Sequence, residues 1–259
     1  MMINLSVKVD GLEPEFLRVA NLIYSGHLKP GQIDAAMVKK IAAQLMKGVF
    51  KGYGKKLDAK NLPIETRTFL TRMRDNIYVF SGFKNYHELR EVSALVQNDK
   101  GLRSFHDFLG DVQQVDKTYN EVYLSAEYGN CIASAQMARA WNDLVDSGVD
   151  MATYQTAGDD RVREEHAILN GITDRLDSDF FKIYWPPNDW GCRCDAVPAA
   201  PGAKEYNIPT SSLPDIPPMF RNNVGKSGII FPDTHPYYNV SQQAAKSIRE
   251  QVNKILEEE

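Results

Sequence analysis

Two cysteines and one histidine are the side chains of this sequence best suited to bind a metal ion or to act as nucleophiles. Cys192 and Cys194 flank one arginine in the stretch WPPNDWGCRC, and His166 precedes that stretch. Thiolate and imidazole groups are typical zinc ligands, so the three residues predict a candidate zinc site. Zinc is therefore the candidate cofactor, although a single Cys pair is a weaker signal than two Cys-x-x-Cys pairs. The candidates for a fourth ligand are Asp159, Asp160 and His235.

Other interpretations of the same residues remain open. On a short strand, Cys192 and Cys194 face the same core and Arg193 points the other way, which suits a packed structural lock as well as a metal site. A catalytic cysteine paired with His166 is disfavoured, because a neighbouring second thiol invites oxidation. A metal-dependent nuclease that uses Asp160 and His166 would need a nuclease motif, and the sequence has none that we recognise.

The surrounding residues predict structural support for this segment. Aromatic rings supply buried area and prolines supply rigidity. Guanidinium–carboxylate pairs are expected to tie the segment before His166 to the Cys-Arg-Cys strand. The residues of the predicted lock are Trp185, Pro186, Pro187 and Trp190, and those of the predicted ion pairs are Asp159, Asp160, Arg161, Arg163 and Arg193.

Hydrophobic periodicity predicts the elements that position this segment. Helices are expected over 15–24, from residue 32 to the glycines near 54, over 66–79 and over 86–97, with a break at Ser81-Gly82. The strongest pattern predicts one long helix from Phe105 to Asp146, with Cys131 buried in it. Beyond Gly148 we expect a strand at 154–156, a short helix over 159–169, the Cys-Arg-Cys strand, and a last helix over 241–256.

These elements predict a mainly helical α+β fold. A helical N-terminal region (1–104) precedes the long helix and a small loop-rich α+β module (105–240), and a C-terminal helix (241–259) follows.

Composition narrows the classes of function. The chain has 259 residues, 43% hydrophobic and 25% charged, a net charge of −4 and three cysteines. No apolar run is long enough to span a membrane and the first 16 residues do not resemble a secretory signal, so we expect no membrane partner and synthesis in a reducing cytoplasm. The net charge disfavours a non-specific nucleic-acid binder. One lysine-rich segment is interpreted as a solvated face, with contact to packaged DNA as the alternative; its members are Lys39, Lys40, Lys47, Lys51, Lys55, Lys56 and Lys60.

The combined pattern resembles the Mu-F-like phage head morphogenesis family, the minor head proteins of tailed phages and prophages. The resemblance covers about residues 60–240 and includes the preceding long helix. It rests on TAGDDRVREEHAILNG followed by DSDFFKIYWPPNDWGCRCDAVP. The matching positions are Thr156, Asp159 or Asp160, Arg161, Val162, Arg163, His166, Gly171, Pro186, Pro187, Asn188, Gly191, Cys192, Arg193 and Cys194.

The resemblance implies a structural component of the virion and not an enzyme. Such proteins act at the portal vertex in capsid assembly and in DNA packaging or delivery, with the portal protein and other head proteins as partners. They reside in the phage head, assembled in the cytoplasm of the bacterial host. The alternative is a zinc-stabilised DNA-binding module of the phage particle. Other relatives carry Cys-x-x-Cys where this chain has only His166, which weakens the zinc assignment here. Some relatives also carry a toxin domain, and we expect no such domain in this chain.

Overall fold

Helices dominate the computed structural model, which describes residues 12–206 and 209–258. The predicted mainly helical α+β fold class is confirmed. The helices are α1 (Glu13–Tyr24), α2 (Ala35–Tyr53), α3 (Ile64–Ala94), α4 (Phe105–Asp116), α5 (Leu124–Asp146), α6 (Glu164–Ala167), α7 (Asp179–Ile183), α8 (Val224–Ser227) and α9 (Gln242–Glu257). The strands are β1 (Gln97–Asn98) and β2 (Gly101–Leu102), which pair with each other, and β3 (Met151–Gln155), β4 (Thr173–Arg175) and β5 (Asp195–Pro198), which form an antiparallel sheet in the order β4-β3-β5.

The described chain divides into two compact units. Unit 1 comprises residues 12–47, 74–128 and 236–258, and unit 2 comprises residues 48–73, 129–206 and 209–235. The boundaries predicted at residues 104 and 240 stay a prediction. No helix in the described ranges has both the length and the apolar character needed to cross a bilayer. The expectation about a secretory signal falls mostly on residues 1–11, which lie outside the described residues.

The predicted break at Ser81-Gly82 is wrong, because α3 continues through both residues. The Ser81 hydroxyl donates to the carbonyl of Ile77 at 2.8 Å, so its polar group is satisfied within the helix. Gly82 marks a close approach between helices in unit 1. A Cβ atom at this position would lie 2.5 Å from Cγ2 of Val252 on α9. Glycine here is thus a packing requirement of the tertiary structure and not a helix terminator.

The predicted helix from Phe105 to Asp146 is confirmed as one continuous helical run. Its middle, Lys117–Tyr123, is π-helical, which the periodicity did not predict. The wider turn leaves the Tyr119 carbonyl able to accept from the Leu124 N–H and, at 2.8 Å, from the Lys84 ammonium. The π-helical segment therefore supplies a backbone acceptor to a buried lysine of α3.

Lys84 and Glu127 form a buried ion pair inside unit 1, with the ammonium 3.0 Å from the carboxylate. The rings of Tyr119, Tyr123 and Tyr237 lie 5.4, 5.9 and 5.6 Å from the ammonium nitrogen. These aromatic faces and the carboxylate offset the cost of removing the lysine charge from water.

Glu88 is also fully buried in unit 1, and its Oε1 atom makes no hydrogen bond. Burial raises the pKa of Glu88 from 4.5 to about 7, and the positive charge of Lys84 only partly opposes this increase. The other charged groups that act on it are the carboxylates of Glu127 and Asp116, which raise its pKa further. The folded protein therefore keeps this carboxyl protonated under mildly acidic conditions.

We predict that Gly82→Ala lowers the free energy of unfolding by about 1–3 kcal/mol, since the added methyl group forces α3 and α9 apart. Gly110→Ala on α4 is the matched control, because a Cβ atom there meets nothing within 4 Å. We expect the control to be stabilising by about 0.5–1 kcal/mol through helix propensity. Urea unfolding measures both changes, and equal stability of the two variants would contradict the close approach.

We predict that Glu88 makes the protein less stable as the pH rises from 4.5 to about 7. Over this interval the folded state holds the Glu88 proton and the unfolded state has released it, so raising the pH favours unfolding. In Glu88→Gln this contribution, at most about 3 kcal/mol, is absent. Urea unfolding from pH 5 to pH 8 should therefore show a flatter stability curve for the variant. Parallel curves for variant and wild type would show that Glu88 titrates normally.

Candidate metal centre

The loop between α7 and β5 places its second residue, a tryptophan, in the core of unit 2. Trp185 is fully buried, and its indole Nε1 donates to the carbonyl of Met137 at 3.1 Å. Its ring packs edge-on against Trp141 with centroids 4.8 Å apart. The next two residues, Pro186 and Pro187, are buried and joined by a cis peptide bond. Three residues of the predicted lock therefore lie in the protein core: Trp185, Pro186 and Pro187.

Two buried polar side chains support this loop from below. The Tyr154 hydroxyl on β3 donates to Oδ1 of Asn188 at 2.8 Å, and the Asn188 amide donates to the Trp185 carbonyl at 3.4 Å. Both residues are completely buried. The sequence assigned neither of them a role, although Asn188 belongs to the Pro-Pro-Asn of the recognised pattern. The sequence signal for Asn188 was a polar residue directly after two prolines. Only the tertiary structure shows that this residue is buried.

Cys192 and Cys194 do not lie on a strand, which corrects the prediction. The pairing of β3 with β5 ends at Gln155 and Asp195. On the opposite edge of β3, which faces β4, the N–H of Thr156 donates to the Asn170 side chain at 2.9 Å. The Cys194 N–H is directed to Sγ of Cys192 at 3.5 Å. The cysteines thus lie in an irregular segment that follows a turn at Trp190-Gly191, where the φ of +67° at Gly191 favours glycine.

The helix that carries His166 is shorter than predicted. α6 spans only Glu164–Ala167, and residues 159–162 form a turn before it. Arg163 is the N-cap residue in extended conformation and makes no capping bond with its side chain. Its guanidinium instead reaches across to the loop of the cysteines.

The irregular segment and α6 bring three possible ligand atoms together. Nδ1 of His166 lies 3.8 Å from Sγ of Cys192 and 3.7 Å from Sγ of Cys194. All three atoms lie within 4.8 Å of one another. His166 and Cys192 are buried and Cys194 is half-buried. In a tetrahedral zinc site, S–Zn and N–Zn bonds of about 2.3 and 2.0 Å separate the ligand atoms by about 3.5 Å. The residues present therefore fit zinc.

The predicted fourth ligands are not brought to this cluster. Among the described residues, the group of neighbouring ligand atoms comprises His166, Cys192 and Cys194 alone. Both carboxylate oxygens of Asp159 bind the Arg193 guanidinium, at 2.7 and 2.6 Å. His235 lies against the rings of Trp190 and Phe231, and Asp160 is exposed. The protein thus supplies three ligands, and water is the ordinary fourth ligand of such a zinc ion.

The environment shifts the pKa values of the two thiols in opposite directions. A hydrogen bond from the Cys194 thiol holds the pKa of Cys192 well below its usual range, helped by His166 and by the Asn188 N–H. The Cys192 thiolate in turn raises the pKa of Cys194, and burial raises it further. Burial and the nearby thiolate also raise the pKa of Tyr154, so its hydroxyl stays neutral. Binding of a metal would therefore release the proton that remains on Cys194.

Arginines connect the turn before α6 to the cysteine loop. Arg193 binds Asp159 through two hydrogen bonds and holds the pKa of that carboxyl well below its usual range. Arg163 donates to the Trp190 carbonyl at 2.7 Å and pairs with Asp189 at 3.2 Å. Arg161 lies 3.5 Å from Asp159. These groups are partly exposed, so each pair stabilises modestly, and together they define the register of the two segments.

A mainly helical chain in which a Cys-Arg-Cys segment faces a histidine matches one class of known proteins. The chain belongs to the family described as Phage Mu protein F like protein, whose model matches residues 39–197 and thus includes all three candidate ligands. The predicted family is confirmed.

Two relatives carry names from the same group. The Mu-like prophage FluMu F protein of Haemophilus influenzae is 44% identical over 41 residues, 16% of this chain and 10% of that protein. The putative capsid assembly protein F of Escherichia phage Mu is 28% identical over 90 residues, 33% of this chain and 18% of that protein. The matched stretches span less than a fifth of either relative. No solved structure matches the chain.

Proposed function

We propose that this protein is a minor head protein of a tailed phage or prophage that acts at the portal vertex in capsid assembly and in DNA packaging or delivery. The observation that carries the proposal is the family match over residues 39–197. The phage Mu relative, named as a putative capsid assembly protein, supports it. The partners would be the portal protein and other head proteins. The protein would be assembled in the host cytoplasm and reside in the virion.

We infer a structural role for the cysteine loop from the family match and from its burial, because three protein ligands with an open fourth position would by themselves equally suit a catalytic zinc ion. His166 and Cys192 are buried, and Tyr154 and Asn188 close the site from below. A metal held there would tie the loop to α6, as structural zinc sites do in small modules with little regular structure. We propose zinc as that metal, bound by His166, Cys192 and Cys194, in a protein without enzymatic activity.

DNA is a second candidate partner, supported by exposed lysines of unit 2. The side chains of Lys51, Lys55, Lys56 and Lys60 are exposed. By contrast, Lys40 pairs with Glu15 at 2.9 Å and Lys39 with Glu258 at 3.5 Å, so part of the lysine-rich segment serves the chain itself. Binding to duplex DNA that persists at physiological salt would favour this partner, because weak contacts to phosphate fade steeply with salt.

The proposed function predicts that deleting this gene from its phage genome leaves few DNA-filled heads, and that the wild-type gene restores them. In the complemented phage, chemical cross-linking of purified virions should join the protein to the portal protein, as read by mass spectrometry. Normal numbers of filled, infectious heads without the protein, together with its absence from wild-type virions, would contradict a role in head assembly.

The metal proposal predicts about one zinc per purified chain, measured by inductively coupled plasma mass spectrometry. A chelator should lower the melting temperature by roughly 5–10 °C, as expected for the loss of a few kcal/mol in a chain of this size. Cys192→Ser should lose the metal and the response to chelator. Cys131→Ser is the matched control, since Cys131 is buried on α5 and is not part of the ligand cluster. No metal and an unchanged melting curve would leave a packed lock without zinc.

A further inference from the structure

We propose that Cys192 and Cys194 are a redox-sensitive pair: in the metal-free protein, a two-electron oxidant such as hydrogen peroxide joins their sulfurs in an intrachain disulfide. Metal binding and oxidation would then exclude each other at the same site. The mutual exclusion concerns regulation of the metal centre and rests on the proposed zinc. The disulfide itself rests only on the arrangement of the two cysteines.

The irregular segment after Gly191 brings the sulfurs within reach of each other. The sulfur atoms and Nδ1 of His166 all lie within 4.8 Å of one another, and the Cys194 N–H points to Sγ of Cys192 at 3.5 Å. A disulfide requires the sulfurs to approach to about 2 Å. Residues on an extended strand at this spacing would hold their side chains parallel and further apart. The departure from strand geometry is therefore what makes the bond reachable by side-chain rotation.

Accessibility differs among the three cysteines in a way that selects this pair. Cys194 is half-buried, so a molecule as small as hydrogen peroxide can reach the site from its side. Cys192 lies directly behind it with an exposed fraction of 8%. Cys131 is completely buried on α5 and is not in the cluster. Hydrogen peroxide that reaches Cys194 therefore meets a thiol whose neighbour in the cluster is Cys192 and not Cys131.

The chemistry balances in two steps. One thiolate attacks the peroxide, the O–O bond breaks, and a sulfenic acid and hydroxide form. The second thiolate attacks the sulfenic sulfur, the S–O bond breaks with loss of a second hydroxide, and the S–S bond forms. The two sulfurs give two electrons to the peroxide, and the two hydroxides take up the two thiol protons as water. A bound metal blocks both steps because it occupies the same sulfur lone pairs.

The two bonded states connect different parts of the chain. A metal would join the cysteine loop to His166 on α6, closing a loop between residues separated by 26 positions. A disulfide joins only positions 192 and 194 and leaves His166 out. Because a cross-link restricts the unfolded chain more when it closes a longer loop, the disulfide cannot replace the stabilisation that the metal supplies. The pair Asp159–Arg193 and the Arg163 contact to Trp190 involve neither sulfur, so we expect them in both states.

The test treats the reduced, chelator-stripped full-length protein with a slight excess of hydrogen peroxide. Intact mass and differential alkylation before and after reduction then identify the cysteines that react. We expect a loss of two hydrogen atoms, with Cys192 and Cys194 protected from alkylation until reduction and Cys131 alkylated in unfolded protein without reduction. Cys131→Ser should behave like wild type, and Cys194→Ser should give addition of oxygen or no reaction.

Three results would overturn the disulfide: oxygen addition without loss of hydrogen in wild type, a disulfide that includes Cys131, or a covalent dimer as the main product. Protein preloaded with Zn²⁺ should oxidise at least tenfold more slowly, and an equal rate would overturn mutual exclusion. If the purified chain binds no zinc, the metal proposal fails while the same assay on the same protein still decides whether the disulfide forms.

Discussion

The irregular backbone of unit 2 must find hydrogen-bond partners without helices or long strands to supply them. A buried peptide group that lacks a partner costs as much as a lost hydrogen bond, so side chains must take this role. Arg163 donates to the Trp190 carbonyl at 2.7 Å and Asn188 to the Trp185 carbonyl at 3.4 Å, and Asp189 Oδ1 accepts from the Trp190 N–H at 2.7 Å. The costly composition of WPPNDWGCRC follows from this constraint. Its polar and aromatic residues complete the backbone of the module as well as filling its core.

The candidate metal centre depends on the same arrangement. Tyr154 and Asn188 hold the loop from the core side, and the pair between Asp159 and Arg193 holds it from the solvent side. The sulfurs of Cys192 and Cys194 lie close to His166 between these two sets of contacts. A centre assembled in this way is suited to join segments of chain, because its ligands are themselves parts of the structural frame.

Unit 1 accommodates the buried charges of Lys84 and Glu127 by a different route. Its helices provide their own backbone bonds, and the buried charges of Lys84 and Glu127 are satisfied by each other, by aromatic rings and by one carbonyl of the π-helical segment. Replacing such a pair by apolar residues often does not destabilise a protein, so a buried ion pair is weak evidence for stability. The arrangement is specific, however, since only the wider π turn offers the Tyr119 carbonyl to the lysine.

The sequence by itself determined the family, the helical character, the long helix over 105–146, and the residues His166, Cys192 and Cys194 as possible ligands, since these depend on local periodicity and residue chemistry. The tertiary structure decided where regular structure stops. Ser81-Gly82 reads locally as a break, yet packing against Val252 makes glycine necessary inside a continuous helix. The cysteines read locally as strand, yet the pairing of β5 with β3 begins only at Asp195, the residue after Cys194. The roles of Tyr154 and Asn188 were equally invisible, because a polar side chain reveals burial only through residues distant in sequence.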